Sequence, residues 1–245
     1  RKYRLSPEEL IVKREAIDNE LQTLTQADAQ LEQMETELSE LEEDYTKAAK
    51  KLHKSRISAA KSLQAQTIEL LKKLAMPDVQ FEVQVQSKDI SQAGKTGLDA
   101  VSFQVSSNPG QPPGPLGKIA SGGELSRISL AIEVATMSQV NVPTLIFDEV
   151  DVGIGGGTAE IVGRLLRQLG SNQQVLCVTH LPQVASQAHQ HLNVVKTHGT
   201  DKTSTSITLL KPDERVQEIA RMLGGVELTK QTLAHAREML TTADS

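Results

Sequence analysis

Two consecutive carboxylates close an apolar run in PTLIFDEVDVGIGGG, residues 143–157. Leu145, Ile146 and Phe147 read as a central strand buried on both faces. Asp148 and Glu149 stand at its carboxyl end, where ligands of open α/β sheets bind. This pattern suits metal–phosphate chemistry. Asp148 can hold a Mg²⁺ through water, because Mg²⁺ keeps several of its own waters. Glu149 is placed to orient or deprotonate a water attacking a γ-phosphate. A strand ending in a plain polar turn would show the same residues. Asp151, Gly153 and the run Gly155, Gly156, Gly157 then make a flexible turn into the next helix. Those glycines follow the acids, so they are no dinucleotide fingerprint.

A second candidate is KIASGGELSRISLAIEVA. Ser121 occupies a helix N-cap position, Glu124 lies three residues on, and Gly122 and Gly123 stand between them. Leu125, Ile128, Ile132 and Ala135 form one apolar helical face. Free N–H groups at such a helix start can bind phosphate; the same residues also make an ordinary capping box with glycines for close packing. A third candidate is QVLCVTH, a buried strand ending on Thr179 and His180. Beside a carboxylate-tipped strand, His180 could contact a γ-phosphate; alone it reads as a structural histidine. Cys177, His180, His189 and His191 lack the C-x-x-C or H-E-x-x-H spacing of a zinc site. The loop that should hold the phosphates is missing. The nearest match to G-x-x-x-x-G-K-[ST] is DISQAGKT, with Asp89 where the first glycine belongs, and it falls in a hairpin turn.

The positioning elements divide the chain in two. From Pro7 to about Ala75 there is no glycine, and Leu10, Ile17, Leu24, Leu31, Leu38, Tyr45 and Leu52 recur every seven residues. Leu21, Ala27, Met34, Leu41 and Ala48 supply most of a second seam. Sustained heptads predict a coiled-coil arm over residues 1–76, roughly 100 Å long, whose seam needs a partner helix. Lys47, Lys50, Lys51, Lys54, Arg56 and Lys61 follow an acidic stretch with no acid among them; this is either a collar for DNA backbone or a solvated face. Residues 77–245 change period. Val79, Phe81, Val83 and Val85 alternate, as do Val101, Phe103 and Val105, giving a hairpin followed by a Pro/Gly-rich loop. Helices and strands then alternate, which predicts an α/β layer with partly parallel strands flanked by helices.

Only 2% of the 245 residues are aromatic and the net charge is −5, neither of which selects a partner. The single cysteine excludes an internal disulfide and fits a reducing compartment. Without a membrane-length apolar run or a signal-like start, the expectation is a cytoplasmic protein with no membrane partner. The start RKYRLSPEEL lacks Met and runs straight into a capping box, as a fragment would.

Taken together, SGGE, TLIFDE, Asp151 and VTH resemble, in order and spacing, the signature motif, Walker B strand, D-loop and switch histidine of ABC-type ATPase heads. With a heptad helix upstream, the chain resembles the SMC-like branch, and within it a bacterial double-strand-break-repair member. The resemblance covers most of residues 118–225. It implies the carboxyl-terminal lobe of a head, with the Walker A and Q-loop in an amino-terminal lobe that returns along an ascending coil helix. It also implies ATP and Mg²⁺ as cofactors, head homodimerisation around ATP, and DNA as partner on the nucleoid. Carried over, Ser121, Gly122 and Gly123 contact the γ-phosphate of the partner's ATP. Glu124 stands where many relatives have Gln. Asp148 supports Mg²⁺, Glu149 is the catalytic base, Asp151 is the D-loop aspartate and His180 contacts the γ-phosphate. The chain alone is expected not to hydrolyse ATP. No C-x-x-C flanks the coil, unlike in the zinc-hook relatives. The alternative is a structural coiled-coil scaffold with a degenerate head.

Overall fold

The computed structural model describes residues 6–107, 110–118, 121–137, 139, 142–198, 203–224 and 228–243. The opening five residues, Ser138 at the expected end of a helix, and Gly225 lie outside them. The elements run α1 (Pro7–Lys73), β1 (Gln80–Ser87), β2 (Asp99–Ser106), β3 (Gly114–Pro115), α2 (Gly122–Thr136), β4 (Thr144–Phe147), α3 (Gly156–Gly170), β5 (Gln174–Cys177), α4 (Pro182–Ala185), β6 (Leu192–His198), β7 (Thr203–Leu209), α5 (Pro212–Gly224) and α6 (Lys230–Ala243). Among the described residues no helix is long and apolar enough to cross a membrane.

The expected caps bound α1. Ser6 N–H donates to Glu9 Oε2 at 2.7 Å and Glu9 N–H to Ser6 Oγ at 3.3 Å, a reciprocal box. At the other end Ala75 takes φ +58°, and Met76 N–H reaches back to the Leu71 carbonyl at 3.0 Å. This left-handed cap usually uses glycine; Pro77 then blocks any continuation.

The chain forms two compact units, residues up to Arg56 with Ser87–Asp99, and Ile57–Gln86 with Ala100 onwards. In the first, the heptad leucines are open: Leu24, Leu31 and Leu38 are each more than half exposed. The last two seam positions do something else. Tyr45 Oη donates to the Gly94 carbonyl at 3.0 Å and accepts from the Gly94 N–H at 3.2 Å, and Leu52 faces Gly97. They hold the hairpin loop. The DISQAGKT segment is in that loop, between two strands, with a 3₁₀ turn at Ile90–Gln92.

Asp99 locks the same loop. Its side chain is 2% exposed and accepts from His53 Nδ1 at 2.7 Å and Arg56 Nη1 at 3.0 Å. Desolvation pushes the carboxyl up, but the bonds from His53 and Arg56 and their charges outweigh it and hold the group below the usual carboxylate range. A depressed carboxyl pKa stabilises above its unfolded value, near 4, and loses that contribution as pH falls through the folded value. The protection factors for hydrogen exchange of the amides of residues 88–98 are therefore expected to fall below about pH 4. In Asp99→Asn this acid step should disappear, with faster exchange at neutral pH.

In the second unit, β1, β2 and β3 form one three-stranded sheet, β4 and β5 a parallel pair, and β6 and β7 an antiparallel pair. The Pro/Gly-rich stretch, expected to be all loop, contributes β3, which pairs Gly114 with Val105. The core joins Leu71 of α1 and Leu74 just past its end to Phe81, Ile128, Leu130, Val150, Val162 and Leu169. A second cluster around Ile219, Ala220 and Ala236 packs α5 on α6.

The expectation that β4 is buried on both faces fails. Phe147 is buried and Leu145 packs on the core, but Ile146 is 71% exposed. Its parallel neighbour Leu176, and Val178 beyond, are also exposed. An apolar run reports the tendency of each residue to be covered, and in this chain α3 covers one side only.

Candidate functional site

The three sequence candidates meet at one turn. It begins where β4 ends: Asp148 Oδ1 accepts the Glu149 N–H at 2.9 Å, and Glu149 takes φ +58°. That left-handed backbone is costly for a side chain with a Cβ, and such residues mark functional sites disproportionately. Val150 is fully buried and pins the turn into the core. Val152 N–H closes it on the Glu149 carbonyl at 3.1 Å.

The amino end of α2 lies against this turn. Ser121 is the N-cap, accepting the Glu124 N–H at 3.5 Å. A Cβ on Gly122 would sit 2.1 Å from Glu149 Oε2, and one on Gly123 would sit 3.2 Å from the carbonyls of Glu149 and Val152. The glycines thus serve close approach, and that approach brings the SGGE helix start and the DE pair together. Two residues that the sequence reading passed over complete the contact. Ser126 Oγ donates to the Asp148 carbonyl at 2.6 Å and Arg127 Nη1 to the Val152 carbonyl at 2.8 Å. Their signal was present: polar side chains three and four residues after Gly123, on the same helical side. Glu124 is held elsewhere, accepting from Ser107 Oγ at 2.7 Å.

On its other side the turn grips the end of β5. Val178 N–H donates to the Phe147 carbonyl at 3.0 Å, extending the parallel ladder. Asp151, 2% exposed, accepts through Oδ2 from Thr179 Oγ1 at 2.5 Å and from the His180 N–H at 3.1 Å. His180 Nδ1 lies 3.3 Å from the same oxygen, while most of its ring is exposed. Asp151 is therefore turned inward. Cys177, behind the acids, has its thiol pushed up to about 12, first by burial and then by the charges of Asp151 and Asp148. That shift disfavours the thiolate, the form in which a cysteine acts as nucleophile. Among the described residues, no group of three or more His, Cys, Asp and Glu gathers into a metal cage.

Relatives match almost the whole chain. A DNA repair protein RecN from Vibrio cholerae is 47% identical over 243 residues, covering 99% of the chain and 44% of that protein. The chain belongs to the RecN family. Another relative, DNA repair protein RecN from Bacillus subtilis, is 36% identical over 257 residues, with 45% of its length covered. The chain therefore spans less than half the length of these RecN proteins. No family model matches it. The fold is similar to that of an Smc head domain with an extended coiled coil from Pyrococcus furiosus, at TM-score 0.53 and 15% identity, covering 87% of this chain and 51% of that one. A long helix followed by a small α/β region of ABC-type ATPase head fold, as the resemblance implied, is what the chain has.

Proposed function

We propose that this chain is the carboxyl-terminal half of an SMC-like ATPase acting in DNA double-strand break repair, with its nucleotide site divided between lobes and subunits. One observation carries the reading: SGGE, the DE pair and His180 converge on a single turn. A degenerate head has no reason to keep them together.

In this reading Glu149 is the base for the attacking water and His180 contacts the γ-phosphate of the same ATP. Ser121, Gly122 and Gly123 serve the γ-phosphate of the partner subunit's ATP through the α2 helix start, with Glu124 beside them. Asp148 keeps one carboxylate oxygen outside its bond to Glu149. That fits a Mg²⁺ ion held through water, and such an ion would neutralise charge on the phosphates. The phosphate loop comes from an amino-terminal lobe; the open faces of Ile146, Leu176 and Val178 support such a lobe covering the sheet. The exposed heptad leucines support an ascending coil helix. The protein works in the cytoplasm, on the nucleoid.

Sedimentation tests this. Mixed with an amino-terminal RecN head lobe, the chain is expected to dimerise only when Mg²⁺ and ATP are present. Failure to do so, even with Glu149→Gln, would favour the structural scaffold. DNA contact is assigned to the basic run: Lys47 pairs with Glu43 and Asp44, but Lys50, Lys51 and Lys54 make no ion pair among the described residues. Reversing these three to Glu should flatten the slope of log affinity against log salt by about 0.9 per lost phosphate contact. An unchanged slope would move the DNA site elsewhere.

A further inference from the structure

The seam of α1 changes character between Leu41 and Tyr45. Leu31, Leu38 and Leu41 are each more than half exposed. Tyr45 and Leu52 keep the same spacing of seven, so the sequence does not end the seam there. Yet the next turns are covered: Ala49 is 6% exposed, and Tyr45 and His53 are half-buried. The loop of residues 88–98 is fastened to this stretch. Tyr45 Oη bonds both backbone groups of Gly94, and Arg56 Nη2 donates to the Thr96 carbonyl at 2.8 Å. Gly97, at φ +89°, approaches so closely that a Cβ there would stand 3.1 Å from Leu52 Cδ2. The loop is closed on itself by Lys88 N–H to the Leu98 carbonyl at 2.8 Å and Gly97 N–H to the Gly94 carbonyl at 3.1 Å.

This attachment leaves no room for a second helix. In a two-stranded coil each seam residue sinks into a hole between four residues of the facing helix, with the axes about 8–10 Å apart. Backbone bonded to the Tyr45 hydroxyl already fills that space. Seating a helix there would break the Tyr45 and Arg56 bonds to the loop. The paired, buried Asp99 at the foot of the loop opposes its swinging out.

We propose that the 88–98 loop ends the paired coil: the ascending helix covers the seam of residues 10–41 and leaves α1 before Tyr45. This rests on the ascending helix of the proposed function and fixes where that helix parts from α1. Over residues 45–56 the arm then consists of α1 and the loop. Lys47, Lys50, Lys51 and Lys54 fall on that stretch, so the part of the arm assigned to DNA is the part without a second helix.

Cysteine crosslinking in the full-length protein, with Cys177 and any other native cysteine removed, tests this. Leu38→Cys and Leu52→Cys are each combined with single cysteines scanned along the ascending helix, and bismaleimide products are read by peptide mass spectrometry. Leu38→Cys should crosslink to the ascending helix, and Leu52→Cys at least about tenfold less at every position. Leu52→Cys should crosslink to Thr96→Cys instead. Replacing residues 89–97 by Asn-Gly, a two-residue hairpin turn, removes the loop and should bring the Leu52→Cys yield to within about twofold of that from Leu38→Cys. Equal yields from the two positions with the loop in place would overturn the inference. So would a missing product with Thr96→Cys, or a Leu52→Cys yield that stays low once the loop is gone. No product from Leu38→Cys at any position would refute the ascending helix itself, and the inference would fall with it.

Discussion

Glu149→Gln in the two-lobe assembly is expected to lower ATP turnover by at least about 10²-fold while prolonging the ATP-bound dimer. The substitution keeps size and shape, and the left-handed backbone at this position costs Glu and Gln alike. The chain should therefore fold unchanged. On the proposed reading, what is lost is the acceptor for the proton of the attacking water. In the proposed divided site, association would depend on the SGGE helix start and the phosphate charge, neither of which the amide removes, so dimers should accumulate. Turnover and sedimentation together check this. Turnover by this chain alone with Mg²⁺, abolished by Glu149→Gln, would refute the divided site.

Gly123→Val is expected to have the second largest effect. A Cβ at Gly123 meets two backbone carbonyls at 3.2 Å and the Val152 Cβ at 3.3 Å. Those carbonyls cannot swing away, since Arg127 and the Val152 N–H hold them. Adding two further methyls prises α2 from the turn, which should cost about 1–3 kcal/mol of stability. ATP-dependent association should weaken by a larger factor, about 30-fold or more, because the helix start is displaced as well. Gly122→Ala is the control. Its Cβ meets only the carboxylate end of Glu149, which can rotate, so the melting temperature should move by about 2 °C or less while turnover falls. A Gly123→Val chain with wild-type melting and association would mean that the contact carries no function.

Much of the architecture was legible because it is periodic or punctuated. Heptads and a glycine-free run gave α1, the capping box in RKYRLSPEEL gave its start, and alternation gave β1 and β2. The acids at the tip of β4 and the histidine past β5 were legible because apolar runs ending in polar residues mark strand ends. β3 was not, since two residues bonded to Gln104 and Val105 carry no period of their own. Tyr45 fits the heptad seam by spacing, yet its hydroxyl bonds a glycine 49 residues away.

The sequence by itself determined the long helix, the alternating strands, the order of most elements and the motifs that carry the family resemblance, because these depend on local spacing and residue type. Only the tertiary structure decided which face of β4 is covered, that Asp151 points inward to Thr179 and His180, and that Ser126 and Arg127 fasten α2 to the turn. Those bonds join groups 22 to 29 positions apart. No periodicity extends across that gap, and a buried donor takes whichever acceptor packing brings within reach.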